Sequence, residues 1–315
     1  MELHEIPTDG SRAYFAPVLP SIPDNGNSVA RVHFESLSEL AAMIPPTAPS
    51  RVPENERHHW TKNDETFYGL TKTMRAALDL ARNGWKEGAE RARPLLERVN
   101  VARPVRKAMV KWSVAGGIPS VPRYLSGDPM HMRTTATAPT NKQPVITLIS
   151  STSAPWYVKP EHFEFAAVAA AAIIDRLEDA GFRVEVIAGR RESSDSTGTT
   201  SRSGENNARG HRSEMWFRLK AAQDTLDLDR LVFGLGHPAV HRRLLFAAGA
   251  MHPAYKKSLG SWQGYAVSLD KLEHPVGTYV LPSMLAISDA KHKDAVATFD
   301  AAIASLKKQG CPGLE

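Results

Sequence analysis

The second half of the chain alternates between short apolar runs and longer segments whose apolar residues recur with the period of a helix. The run Val145–Ile149 has the length and composition of a buried strand. Pro160 stands where a helix would begin, since its missing N–H is not needed there. Gly181 follows an Ala-rich stretch and is typical of a helix end. The predicted strands are Val145–Ile149, Arg183–Ala188, Met215–Lys220 and one within Thr278–Ile287, and the predicted helices are Glu161–Ala180, Asp227–Leu235, Pro238–Ala248 and Ala290–Gln309.

This order of elements predicts an α/β fold, because strands that alternate with helices usually form a parallel sheet covered by those helices. The beginning of the chain has a different pattern. Residues 1–28, rich in Pro, Gly, Asn and Ser, predict an irregular arm, and Val29–Phe34 alternates as a short strand does. Ser36 and Glu39 then have the spacing of a capping box, which predicts that a helix begins at this point.

The following segments are mainly helical in pattern. Helices are predicted over Lys72–Asn83 and Lys86–Val99, whereas Val105–Val114 fits either a strand or an amphipathic helix. Gly and Pro interrupt the chain after that, and residues 134–143 have the composition of a linker. The predicted organisation is an arm (1–28), a mainly helical basic domain (29–133), a linker (134–143) and an α/β domain (144–310).

Positive charge is concentrated in one stretch. The whole chain carries +5, but eleven Lys or Arg between Arg82 and Arg133 stand against four acids, a local net charge of +7. Aromatic residues are interleaved with these cations, a combination typical of sequence-tolerant, salt-sensitive binding to nucleic acid. The alternative is an ordinary solvated helical surface. The residues predicted to contact phosphates are Arg91, Arg98, Arg103, Arg106, Lys107, Lys111 and Arg123.

A second group of arginines lies in the polar segment 189–213, which is predicted to be a mobile loop. It is either a flexible arm or a tolerated insertion. Its cations are Arg190, Arg191, Arg202, Arg209 and Arg212, and its acids are Glu192, Asp195 and Glu205.

Hydroxyl side chains follow the strand Val145–Ile149 directly, at Ser150–Ser153. The carboxyl ends of parallel strands open into a crevice where ligands bind, so these hydroxyls are candidate ligands. A divalent cation also needs a carboxylate, and the loop has none. The alternative is a polar turn whose hydroxyls bond nearby backbone groups.

Two histidines, His237 and His241, are four residues apart and would share one face of a helix. Such a pair can bind zinc, but the segment lacks the Glu of the metalloprotease pattern and no third ligand is evident. The interpretation we favour places His237 in the corner between two helices and His241, with Arg242 and Arg243, in a solvated basic turn. No glycine signature for phosphate and no nucleophile elbow occurs. We therefore expect no catalytic residue, no metal and no cofactor.

The second half resembles the von Willebrand A-like fold. The resemblance rests on an apolar strand that runs into Ser151 and Ser153, an Ala-rich helix, the strand Gly181–Val186 and the segment 226–243. In that family an Asp two positions before the first Ser completes the metal site, and here that position is Ile149. The resemblance therefore implies the fold and a protein-binding or scaffold role, with Ser151 and Ser153 left as a degenerate metal-site loop.

The amino-acid sequence is also similar to that of a group of uncharacterised bacteriophage and prophage proteins, in the segments 81–85 and 123–130. The leading hypothesis is a non-enzymatic phage-type protein that binds nucleic acid through its basic N-terminal half during replication or packaging. A metal-free protein–protein scaffold and an enzyme with a site assembled from distant residues are the alternatives. Cys311 is the only cysteine, and neither a signal peptide nor a membrane span is apparent. These features predict a cytoplasmic location, in the host cell if the protein is phage-encoded.

Overall fold

The computed structural model describes residues 29–48, 65–100, 110–114, 118–135, 144–154, 158–193, 212–251, 265–266, 269, 274–282 and 293–314. The chain divides into two compact units. The larger unit combines Met1–Val99 with Val145–Glu315, and the smaller unit is Asn100–Pro144. The sequence instead predicted a boundary between a basic domain ending at residue 133 and an α/β domain beginning at 144, so the observed division differs from the predicted one.

The larger unit is built on a six-stranded sheet, which confirms the α/β class. Along the sheet the order is β1-β7-β6-β5-β9, and β8 pairs with β6. The strands are β1 (Val29–Phe34), β5 (Val145–Ser151), β6 (Arg183–Ser193), β7 (Arg212–Lys220), β8 (Tyr265–Ala266) and β9 (Thr278–Val280).

The sheet is mixed rather than wholly parallel. Strand β5 is parallel to β6 and β9, and β1 is parallel to β7, but β6 and β7 are antiparallel. A parallel connection needs a crossover of a dozen or more residues, usually a helix, and the sequence between β6 and β7 has no helical pattern. Residues 194–211, which connect these two strands, lie outside the described residues.

Helices cover the sheet over a continuous apolar core. Helix α5 (Pro160–Asp179) buries a run of small and branched residues from Ala167 to Ile174 and packs against two helices, α6 (Leu228–Gly236) and α8 (Ala295–Lys308). Small side chains permit this close approach: an added Cβ on Gly236 would lie 2.8 Å from the Cβ of Ala167. No helix within the described ranges is long and apolar enough to cross a membrane.

The segments predicted as a separate helical domain belong partly to this unit. Helix α1 (Leu37–Met43) begins as the capping box predicts, with the Glu39 N–H donating to Ser36 Oγ at 3.0 Å. Helices α2 (Met74–Asn83) and α3 (Lys86–Asn100) follow. Helix α2 packs on α6, and β1 lies in the sheet, so these N-terminal elements share the core of the α/β unit.

In the smaller unit, the residues that the structure describes form a three-stranded antiparallel sheet of order β2-β4-β3 and one short helix. Its elements are β2 (Val110–Ser113), β3 (Ile118–Pro119), α4 (Val121–Leu125) and β4 (Met132–Thr135). The segment Val105–Val114 fitted either a strand or a helix, and its second part, Val110–Ser113, forms a strand. Residues 105–109 lie outside the described residues. The described part of this unit is therefore mainly β, although it lies largely within the stretch 29–133 that was predicted to be a mainly helical domain.

Candidate functional site

The serine loop, Ser150–Ser153, begins with the last two residues of β5 and lies at the carboxyl end of that strand. All four of its side chains are buried. Both the backbone N–H and the hydroxyl of Thr152 donate to the carbonyl oxygen of Gly189 on β6, at 2.7 and 2.9 Å. Ser153 is only 1% exposed, and its hydroxyl has no hydrogen-bond partner in the part of the chain that the structure describes. Thr152 therefore forms a structural turn, and Ser153 is a buried hydroxyl without such a bond among the described residues.

Ile149, at the position where the resembling family has its aspartate, packs in an apolar cluster with Ile187 and Trp216. The loop therefore has hydroxyls but no carboxylate to balance the charge of a divalent cation. Within the described ranges, no group of three or more His, Cys, Asp or Glu is arranged to hold a metal ion.

His237 lies in the corner between two helices, as the sequence suggested. Its Nδ1 accepts the backbone N–H of Ala239 at 3.1 Å, and its ring contacts Trp85 edge-on with centroids 4.5 Å apart. Burial lowers the pKa of His237 to about 3, and the positive charge of Arg91 adds to the effect. The imidazole is therefore neutral at physiological pH and acts as a packed, hydrogen-bonded core residue.

His241 is buried, and its predicted place in a solvated basic turn is wrong. It lies in a π-helical segment, Val240–Leu245, that runs on into α7 (Phe246–Met251). The backbone N–H of Ala154 approaches His241 Nε2 at 3.5 Å, so the helix contacts the residue after the serine loop. Burial, with Arg190 and Arg242 nearby, lowers the pKa of His241 well below its usual value.

Arg242, predicted to be solvated, is buried and fixes the backbone around it. It donates to the carbonyl oxygens of Phe67 and Val158, both at 3.0 Å, and lies over the Phe67 ring. The backbone carbonyl at residue 67 belongs to a short 3-10 helix, Glu65–Tyr68. Arg242 therefore ties that helix to the residues just before α5.

Arg243 is also buried, against the same prediction. Its Nε donates to Thr71 Oγ1 at 2.8 Å, a second nitrogen donates to the Thr71 carbonyl, and the guanidinium lies 4.0 Å from the centre of the Tyr68 ring. The sequence missed both arginines because adjacent cations usually indicate a solvated surface. A guanidinium can nonetheless be buried when backbone carbonyls and aromatic faces surround it.

Arg190 and Arg191 are not part of a mobile loop, which corrects another prediction. They continue β6, and their side chains are 0% and 2% exposed. Arg190 forms an ion pair with Glu192 at 3.2 Å and Arg191 one with Glu214 at 3.4 Å. Arg212 begins β7, and Arg202 and Arg209 lie outside the described residues.

The residues predicted to bind nucleic acid are divided between the two units. Arg91 and Arg98 are exposed on α3 of the larger unit, where Arg91 forms an ion pair with Glu164 at 2.7 Å and lies over Trp85. The exposed charges of this helix are mixed in sign, so the helix is not a purely cationic surface. They are Lys86, Glu87, Glu90, Arg91, Arg93, Glu97 and Arg98.

The smaller unit holds the other predicted residues. Arg123 donates to Asp128 Oδ2 at 3.1 Å and lies over the Trp112 ring at 4.2 Å from its centre. Lys111 is in β2, but its side chain is not described, and Arg103, Arg106 and Lys107 lie outside the described residues.

The smaller unit carries most of the chain's basic character. Residues 100–144 contain seven Lys or Arg and a single acid, Asp128, a net charge of +6 in a chain whose total is +5. The sequence located this charge only within a broader stretch that included α3. The division into units was needed to separate the mixed charges of that helix from the almost purely cationic segment after it.

The chain belongs to the family described as "Domain of unknown function (DUF7192)", which matches residues 16–311. The match spans both units. No curated protein and no solved structure matches the chain.

Proposed function

We propose that this protein binds nucleic acid through the unit Asn100–Pro144. The observation that carries the proposal is the net charge of +6 in 45 residues, with the only acid already paired to Arg123. The other six cations cannot be neutralised by a carboxylate of the same unit. A phosphate backbone supplies such charge, and its counterions are released on binding.

This proposal keeps the hypothesis of a phage-type protein that acts without catalysis during replication or packaging. It assigns nucleic-acid binding to a different set of residues. Arg91 and Arg98 contribute less, because α3 carries acids among its cations and Arg91 is held by Glu164. Arg103, Arg106 and Lys107 become the principal phosphate contacts.

The test is fluorescence anisotropy of the full chain with a labelled oligonucleotide over a range of salt concentrations. If about six phosphates are neutralised, the affinity for duplex should fall with a log–log slope of roughly −5. The triple variant Arg103→Glu, Arg106→Glu and Lys107→Glu should reduce the magnitude of that slope by about 3, since about three phosphate contacts are lost.

A matched control reverses three exposed cations of the larger unit, Lys72→Glu, Arg75→Glu and Arg93→Glu, which changes the net charge by the same amount. It should bind nearly as the unaltered chain does. Equal losses in the two variants would assign binding to net charge alone. Absence of binding at low salt would leave the scaffold hypothesis in its place.

We further propose that the larger unit is a von Willebrand A-like domain that serves as a metal-free protein-binding module. Support comes from the parallel pairing of β5 with both β6 and β9, and from the serine loop at its carboxyl end. Because Ile149 replaces the metal-binding carboxylate, added Mg²⁺ or Mn²⁺ should leave the thermal unfolding midpoint unchanged. A rise in the midpoint that saturates with metal concentration would contradict this proposal.

A further inference from the structure

We infer that helix α4 offers an apolar face to the bases of single-stranded nucleic acid, an inference that rests on the nucleic-acid function proposed above. The helix spans Val121–Leu125 in the basic unit. Its Val121, Tyr124 and Leu125 side chains are 62%, 64% and 77% exposed. Residues three and four apart share one face of a helix, so these three side chains form a contiguous apolar patch.

Local contacts hold the patch in place. The Tyr124 N–H donates to the carbonyl oxygen of Ser120 at 2.9 Å, which fixes the first turn of α4. The Tyr124 ring contacts His131 edge-on, with centroids 5.2 Å apart. Most of the tyrosine is nevertheless exposed. A positioned but open aromatic ring is the kind of platform on which bases stack.

A cation of the same helix is held by contacts of its own. Arg123 precedes Tyr124 in α4, lies over the Trp112 ring and forms an ion pair with Asp128 at 3.1 Å. Asp128 also accepts the backbone N–H of Met130 at 2.8 Å, so the only acid of the unit organises the turn. The patch therefore lies in a segment whose charge is otherwise entirely positive.

A ligand that fits both the apolar patch of α4 and the positive charge of the unit has phosphates and accessible apolar faces. A duplex presents phosphates but stacks its bases inside the helix, so the exposed Tyr124, Val121 and Leu125 would gain little from it. A single strand presents both, since its bases can unstack onto an aromatic ring. An anionic membrane also combines negative charge with apolar groups. Membrane binding scales with the apolar area that is buried, and α4 has only five residues, whereas one positioned ring is enough to stack a base. These points favour the single strand.

The experiment compares anisotropy of a labelled mixed-sequence 20-nucleotide single strand with that of the matching duplex, using the full chain at fixed salt. Tyr124→Ala should weaken single-strand binding roughly 5- to 150-fold, the range for loss of one stacked base, and leave duplex binding unchanged. Tyr124→Phe keeps the ring and should retain most of the affinity. Val276→Ala, which trims an exposed apolar side chain of the larger unit, is the matched control and should have no effect.

The outcomes separate this inference from the broader function. Similar affinity for single strand and duplex, with Tyr124→Ala silent in both, overturns the inference and leaves nucleic-acid binding intact. Failure to bind either oligonucleotide overturns both proposals. Sedimentation with vesicles containing about one third phosphatidylserine provides the other arm. Stronger binding to vesicles than to the single strand, lost in Tyr124→Ala, would reassign the patch to membranes.

Discussion

The buried histidines should make the larger unit sensitive to mild acid. His237 has a pKa of about 3 in the folded protein, compared with an ordinary value of 6.5. The folded state therefore binds fewer protons than the unfolded state between these two values. Stability contributed by the neutral ring is present above pH 6.5 and is lost as the pH falls toward 3. His241 is shifted in the same direction and adds to the effect.

The magnitude for His237 follows from these two values. At pH 5 the unfolded state is almost fully protonated at this ring and the folded state is almost unprotonated. Between pH 7.5 and pH 5 the difference amounts to about 2 kcal/mol in the free energy of unfolding. That is a large fraction of a typical domain stability of roughly 5–15 kcal/mol.

The assay is urea unfolding at pH 7.5 and pH 5, followed by circular dichroism. His237→Asn offers an amide oxygen in place of Nδ1 to accept the Ala239 N–H, but it does not titrate. The variant will be less stable at both pH values because the contact with Trp85 is lost. Its loss of stability between the two pH values should nevertheless be smaller than that of the unaltered chain by about 2 kcal/mol. An undiminished pH dependence in the variant would refute the reasoning.

Three other substitutions or measurements test the packing. Gly189→Ala would place a Cβ 2.1 Å from the carbonyl oxygen of Met215. The melting temperature should therefore fall, because such overpacking lowers the free energy of unfolding by about 1–3 kcal/mol or more. Thr71→Ala removes a hydroxyl acceptor from the buried Arg243 and should lower the free energy of urea unfolding by about 1–3 kcal/mol, whereas Thr71→Ser should retain most of it. Burial raises the pKa of Cys311 to about 11, so a disulfide reagent at pH 8 should react slowly with the native chain and rapidly after unfolding; equal rates would contradict this.

Elements with a long, uniform apolar signal were predictable from sequence. Strand β5 and helix α5 lie where the pattern places them, because an apolar run and an Ala-rich segment between Pro160 and Gly181 specify one local structure. The capping box at Ser36 is likewise local, and short-range hydrogen bonds determine it. These features depend on neighbours within four residues.

The buried cations could not be predicted in the same way. Arg191 is compensated by Glu214 on another strand, and Arg242 by carbonyl oxygens as far away in sequence as Phe67. Burial of such groups depends on partners supplied by tertiary structure. The general rule that arginines lie on the surface therefore places these buried residues wrongly. For the candidate nucleic-acid surface, the sequence composition was enough to locate the positive charge. The exposed apolar face that contains Tyr124 could be recognised only once the structure showed the short helix α4.

The pairing of β1 with β7 has a consequence for synthesis of the protein. The two partners Val29 and Arg212 are 183 positions apart, counted from 29 to 212. A ribosome adding 5–20 residues per second takes roughly 10–40 s to bridge that interval. During this time β1 has left the ribosome before the strand that will bond its backbone has been made, so its edge stays open to other partners until residue 217 has emerged.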